Sequence, residues 1–432
     1  MSARLNLVVA LAALGLFAGS ADVLAKSKDK EKDAGAVAAT KPAVNPACGT
    51  DKLTKKLEKS LGAAQKAQAA KDFNGMLTHV AEAEAAGPET EYDKFWIHEL
   101  RGIANAYLKQ NGPAVTDLEA AYQSPCMPEG EEKFRREKLI MQLSYQDKNY
   151  DKAVEYGSKA WKPGGDTEVG LYLGNAYYVK DDFENTRRVM SDVVKTMEEK
   201  GQTPDEQTVR IWQSACIGLK DNACVVDLLE KLVVTHPKQQ YWEQLVDSML
   251  RLSKNDSTSL NVWRFADGVD AMFDGTNFIE MAQLAMAAGL PGEAVSILDK
   301  GNQKGVFTTE RDKEHAGRIL ADAKQAVTLD KSTLDKQDAS ARAKPTGEAD
   351  VKLGAAYLSY GDNAKAIEAL QRGIGKGGVK NPDEAGLLLG IAYVRSGNTA
   401  EAAKAFQTVS KDPTMVRISK LWQMTKTAGA AG

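Results

Sequence analysis

Leu353-Gly354-Ala355-Ala356-Tyr357, followed by Gly361 and Ala366, is echoed by Leu389-Gly390-Ile391-Ala392-Tyr393, Gly397 and Ala402. Gly354 and Gly390, Tyr357 and Tyr393, Gly361 and Gly397, and Ala366 and Ala402 all stand 36 residues apart. A period in this range marks a two-helix unit that cannot bury its apolar face alone and does so by stacking on copies of itself. Packing inside such a unit explains the residue types. A small residue lets the second helix approach the first, and an aromatic three places on fills the gap. Glycine or an Asn/Asp pair turns the chain, and alanine receives the first helix.

The small residue that opens each second helix serves as a ruler along the chain. It falls at Met76, Ala114, Ala153, Thr186, Val225, Ala294, Ala366 and Ala402, with gaps of 38, 39, 33, 39, 69, 72 and 36. Each long gap is about two units, so degenerate units are expected near Leu260 and Ser332. The chain reads as ten helix pairs over residues 52 to 414, the first, sixth and eighth being weakest. His236-Pro237 ends the fifth, since proline commonly follows a helix terminus.

Leu173-Gly174-Asn175-Ala176-Tyr177-Tyr178 with Asp181-Asp182-Phe183 resembles the first helix and turn of the tetratricopeptide repeat. Asn149-Tyr150-Asp151-Lys152-Ala153-Val154-Glu155-Tyr156, closed by Ala160, is similar to its turn and second helix. The resemblance implies an all-α fold, a right-handed superhelical solenoid of about ten tetratricopeptide-like helix hairpins. Its first helices would line a channel that receives peptides or helices of other proteins. In the repeat's frame the groove positions are Arg135, Lys138, Gln142 and Tyr145 in the third unit and Asn175, Tyr178 and Val179 in the fourth. Leu387, Ile391, Val394 and Arg395 follow in the last. Arg, Lys, Asn and Tyr suit a peptide backbone or an acidic terminus. Asn175 is similar in position to an asparagine that grips a C-terminal carboxylate in some relatives, but the accompanying lysines are not all present. Ordinary surface is the alternative reading.

A second resemblance covers roughly residues 237 to 426. The run Gly377-Gly378-Val379-Lys380-Asn381-Pro382-Asp383-Glu384-Ala385, then Leu388-Leu389-Gly390-Ile391-Ala392, with Glu401-Ala402 and Ala405-Phe406, is similar to periplasmic repeat proteins that accompany TonB-type energy-transduction systems. Pro237-Lys238-Gln239-Gln240-Tyr241-Trp242-Glu243-Gln244-Leu245 and Ala294-Val295-Ser296-Ile297-Leu298-Asp299-Lys300-Gly301 share the likeness. Lys331-Ser332 departs from the family's Lys-Ala, and the N-terminal half matches only generic repeats. The resemblance implies a periplasmic accessory that meets TonB, ExbB and ExbD components, with an envelope assembly for polysaccharide export or outer-membrane biogenesis as the alternative.

The N-terminus is of another kind. Arg4 precedes an apolar run from Leu5 to Phe17, shorter than the ~20 residues a helix needs to cross a bilayer. Small residues at Ala21 or at Val23-Leu24-Ala25 suit a signal peptidase, so export to the periplasm and no stable membrane insertion after cleavage are expected. An uncleaved anchor is the competing reading. Residues 26–47, with alternating Lys and Asp/Glu and then two prolines, have too little apolar surface to fold and read as a linker. The remaining organisation is N-terminal and central repeats over 48–302, a degenerate repeat over 303–346, well-formed repeats over 347–426 and a tail over 427–432.

With 43% hydrophobic and 27% charged residues, the chain has enough apolar surface for a continuous helical stack. A net charge of −3 argues against nucleic acid, which calls for a concentrated basic excess. Four cysteines in an exported chain invite pairing. In the repeat frame Cys216 and Cys224 face each other across one hairpin, and Cys48 and Cys126 fall on one edge of the stack, so these are the expected bonds. Four buried thiols in a reducing compartment are the alternative, and no Cys-x-x-Cys pair favours zinc. His79, His98, His236 and His315 are scattered over different units without metal or catalytic spacing. Gly373-Ile374-Gly375-Lys376-Gly377-Gly378 follows a second helix and lacks the Gly-Lys-Ser/Thr of a phosphate cradle. The reading is therefore a non-enzymatic chain with no cofactor, whose partners are proteins.

Overall fold

The computed structural model describes residues 46–428; the expected signal peptide, most of the linker and the last four residues lie outside them. Among the described residues the regular structure is a short 3₁₀ turn, Pro46–Cys48, and twenty-one α-helices, with no strand. In pairs these are α1 (Lys55–Ala69) and α2 (Phe73–Ala85), α3 (Glu91–Tyr107) and α4 (Asn111–Gln123), α5 (Glu131–Gln146) and α6 (Tyr150–Ala160), and α7 (Thr167–Val179) and α8 (Phe183–Glu199). There follow α9 (Glu206–Gly218) and α10 (Asn222–Thr235), α11 (Gln239–Leu252) and α12 (Asp256–Gly268), and α13 (Gly275–Ala287) and α14 (Pro291–Lys304). The last are α15 (Glu310–Lys331) and α16 (Leu334–Ala343), α17 (Glu348–Ser359) and α18 (Asn363–Lys376), α19 (Pro382–Arg395) and α20 (Thr399–Gln407), and the unpaired α21 (Pro413–Ala428). The fold is all-α and built of repeated hairpins.

One local device makes most of the hairpins. A residue with φ between 58° and 77° ends the first helix: Lys71, Lys109, Lys148, Asp181 and Lys220, or glycine at Gly289, Gly361 and Gly397. That left-handed step reverses the chain and answers the last carbonyls of the first helix. The next residue is often Asp or Asn, and Asp72, Asn149, Asp182, Asp221, Asp362 and Asn398 each accept the N–H three residues on. Each such cap is worth about 1 kcal/mol to its helix. Glycine at the eighth place of the repeat then permits contact between the two helices. A Cβ on Gly354 would come within 2.5 Å of Leu370, and one on Gly390 within 2.3 Å of Phe406.

The described residues pack as two compact units that divide between residues 202 and 203, a division the repeat period does not mark. The core of unit 1 runs from Leu57, Leu61 and Met76 through Ile103, Leu118 and Ile140 to Val189 and Val193. Its hairpins are regular, including α1 with α2, where weakness was expected. Leu57, Leu61 and Ala64 on α1 face Met76, Val80 and Ala83 on α2, all essentially without exposed surface, so the methionine in the alanine place is accommodated. First helices also touch each other, α1 with α3 and α5 with α7, and Glu99 of α3 meets Arg136 of α5, which gives unit 1 a row of first helices.

Unit 2 has its own core, centred on Val226, Leu229, Leu245, Phe265, Phe278, Leu298, Leu370 and Trp422. The eighth pair opens: α15 packs on α13 and α14, while α16 packs on α17. Helix α21 does more than end the stack. It lies on α19 and α20 and also on α12, with Trp422 edge-on to Phe265 at 5.7 Å. Arg417 reaches back to Asp227 at 2.5 Å and Glu230 at 3.1 Å on α10. Unit 2 thus closes on itself across about 190 residues, through a contact 187 residues apart in sequence.

Cys48 is bonded to Cys126 and Cys216 to Cys224, with Cα atoms 4.7 and 5.9 Å apart. The first bond is wrapped by Phe95, Ala121 and Met127, with Tyr92 and Trp96 beside it. The second joins α9 to α10 across their turn.

Candidate functional site

The groove positions expected from the repeat frame meet different fates. In unit 1 Arg135 is exposed and forms ion pairs with Glu131 (2.5 Å) and Glu132 (3.2 Å) of its own helix. Lys138 is buried between the carboxylates of Asp166 (2.7 Å) and Glu168 (2.6 Å). Burial alone would depress the Lys138 ammonium, yet the two carboxylates outweigh it and raise its pKa. Burial likewise disfavours a charged Asp166, but Lys138 and the N–H groups of Val169 and Glu168 hold its carboxyl below the usual range. Gln142 donates to Glu168 at 2.9 Å, and Asn175 donates to the Leu171 carbonyl of its own helix at 2.7 Å. The Lys138 ammonium and the Gln142 and Asn175 amide nitrogens are therefore engaged inside the unit, which weakens the polar grip expected of them.

What unit 1 leaves open on that row is aromatic and aliphatic. Tyr145 is half-buried, edge-on to Tyr150 and Tyr172, and burial pushes its phenol up to about 12. Tyr178 leans on Phe183, and Val179 beside it is 46% exposed. Phe73 stacks on Tyr107 with ring centres 4.1 Å apart.

Two of the expected groove residues in unit 2 require correction. Leu387 and Ile391 have no exposed surface. Their helix, α19, is bounded by α17, α18, α20 and α21, so these side chains are core. Val394 is half-buried. Arg395 is exposed, with Nη1 3.5 Å from the Leu358 carbonyl, and it lines a cavity of about 340 Å³ together with Glu293, Lys300 and Tyr360.

Sequence reasoning missed the buried charge pairs. In unit 1 Glu99 of α3 is paired with Arg136 of α5, both nearly without exposed surface, and burial pushes the Glu99 carboxyl up despite the guanidinium. In unit 2 Arg264 forks onto Glu293 with two bonds of 2.8 Å and donates to Asn261 at 3.0 Å. Burial opposes ionisation of Glu293, but Arg264 and then Arg395 outweigh it and lower its pKa. Charged residues among apolar ones on α3, α5 and α12 were the signal available. A second cavity of unit 2, about 910 Å³, lies among α12, α13, α16, α17 and α19 and includes Arg264 in its wall.

Of the histidines, His98 bonds to Asp117 at 2.9 Å next to Arg101, which also holds Asp117 at 2.8 Å; this ties α3 to α4. Among the described residues no group of three or more His, Cys, Asp or Glu side chains is placed to hold a metal ion.

No family model matches the chain, and no curated protein does. Solved structures do match. The apo form of RapI aligns with a TM-score of 0.32 and 11% identity over 63% of this chain and 99% of that one. The TPR2AB domain of yeast Sti1, solved with pHSP90, aligns at 0.24 and 16% over 69% and 100%. The TPR domain of P58(IPK) aligns at 0.23 and 12% over 86% and 99%. These are likenesses of helical-repeat fold. The assignment of the fold rests on the hairpins, caps and packing described above.

Proposed function

We propose that the chain is a non-enzymatic protein-interaction scaffold of the periplasm, an accessory of a TonB-type energy-transduction system. The observation that carries the scaffold reading is the first-helix row of unit 1. There Tyr178 and Val179 stand clear of the core while neighbouring charges neutralise one another. A half-buried tyrosine and an exposed valine beside paired charges suit a partner held by apolar contact rather than by a salt-sensitive clamp. Two disulfides and no unpaired cysteine fit an oxidising compartment. No helix among the described residues is long and apolar enough to cross a membrane. The TonB association rests on the sequence likeness over residues 237 to 426 alone.

Photo-crosslinking in living cells tests both levels. A photoreactive phenylalanine at Val179 is expected to capture TonB, ExbB or ExbD, and one at exposed Lys195 of α8 is not. Adducts with polysaccharide-export or outer-membrane-assembly proteins would move the scaffold to that machinery. Equal or absent labelling at the two positions would refute the docking row itself.

A further inference from the structure

We propose that the 910 Å³ cavity of unit 2 is a binding site for a small amphipathic anion, an apolar chain carrying a carboxylate or phosphate head. The inference is independent of the scaffold reading. The volume lies in the upper part of the ~300–1,000 Å³ range of small-molecule sites. The floor is apolar, formed by Leu260, Leu284, Leu290, Leu353, Val379 and Leu388.

The charges on the wall are unevenly engaged. Of the carboxylates there, Asp330 accepts the Tyr360 hydroxyl at 2.6 Å. Glu348 accepts the Lys380 N–H at 3.0 Å and pairs with Lys352 at 3.7 Å. Glu384 accepts from the Asn381 side-chain amide at 3.3 Å, donates its backbone N–H to Asn381 Oδ1 at 3.2 Å, and faces Arg264. Asp256 remains, in the first turn of α12, where the helix dipole favours its charge.

Of the four lysines there, Lys352 pairs with Glu348, but the other three are different. Lys336, Lys344 and Lys380 line the same cavity, and among the described residues none of them forms an ion pair with a carboxylate. Lys344 and Lys380 belong to one mouth. The N–H of Gly347, three residues after Lys344, donates to the carbonyl of Gly377, three residues before Lys380, at 2.7 Å. That bond brings the entry of α17 onto the loop leading to α19. An anionic head at this mouth takes the unpaired Lys344 and Lys380 as its counter-charges beside Glu348, which Lys352 already pairs, while its chain lies along the leucine floor.

The test uses the purified full chain and isothermal titration with dodecanoate and dodecyl phosphate below their micellar concentrations, with dodecylamine as the cationic control. Either anion is expected to bind with one site per chain, with affinity falling about tenfold for each two carbons removed. K344E/K380E, at two exposed positions, is expected to weaken binding at least tenfold with an unchanged circular-dichroism melt. Ala355→Trp, which fills the cavity from α17, is expected to abolish it. Failure of both anions to bind overturns the proposal. So does binding of dodecylamine as tightly as dodecanoate, or binding that neither variant changes.

Discussion

Replacing Gly268 by alanine turns the docking of α21 into a question of sign. Gly268 is the last residue of α12, and a Cβ there would fall 2.1 to 2.8 Å from three carbons of the Trp422 indole. The ring is 3% exposed and set edge-on to Phe265, so it cannot swing aside as the tip of a flexible chain would. Overpacking a filled core costs about 1–3 kcal/mol. Against it stands the helical preference for alanine over glycine, about 0.5–1 kcal/mol. Where Trp422 occupies its seat, the sum is a loss of up to about 2.5 kcal/mol; where it does not, the same change is a gain of up to about 1 kcal/mol. Trp422→Ala alone should cost about 3–5 kcal/mol, and in that background Gly268→Ala should become stabilising. The assay is urea unfolding followed by far-ultraviolet circular dichroism, with hydrogen exchange over 413–425 to assign the transition to unit 2. If Gly268→Ala stabilises the otherwise unaltered chain, α21 does not sit on α12 and the closure of unit 2 is wrong.

Three further outcomes follow from the same physics. Lys109 has φ 60°, a left-handed value that costs a side chain about 1–2 kcal/mol, whereas glycine adds about 0.5–1 kcal/mol of unfolded-state entropy; Lys109→Gly should therefore raise stability by about 0.5–1 kcal/mol in urea melts, and a loss would refute the turn geometry. Glu99→Leu or Arg136→Met alone should each cost about 3–5 kcal/mol by stranding a buried partner, while the double variant should lie within about 1 kcal/mol of the parent or above it, a cycle read from the same melts. Burial works against the charge of Asp93, but the N–H groups of Thr54, Thr90 and Glu89 more than offset it, so its folded pKa lies below the unfolded value of about 3.9. Its stabilisation is full above that value and is lost as pH falls through the folded pKa; Asp93→Asn should flatten the acid limb of a stability-against-pH curve, and an unchanged limb would refute the role.

How far the fold could be read depended on where each signal lies in the chain. Local signals were sufficient for the hairpins. The 36-residue echo from Gly354 to Gly390, and Asp or Asn at Asp182, Asp362 and Asn398, act within one or two helices, so spacing alone exposed them. The split at residues 202 and 203 and the return of α21 to α12 depend on contacts far apart in sequence, and no period encodes them. The groove is intermediate. The frame put Lys138 at a groove position, but whether that ammonium is free is decided by Asp166 and Glu168, 28 and 30 residues on, in the next hairpin. One part of the error was readable. Positions held by Gln142 and Asn175 in unit 1 correspond to Ile391 in the last hairpin. A polar side chain at such a place can face water or a neighbour, but isoleucine beside Leu387 asks for a cover. Met415, Ile418, Leu421 and Trp422, at helical spacing on α21, give the last segment an apolar face, and all four are buried against unit 2. Leu387 and Ile391 are thus better read as a sign that the chain covers its own groove at that end, whereas Val179 stays 46% exposed, and a polar residue at such a place is a question about the next hairpin.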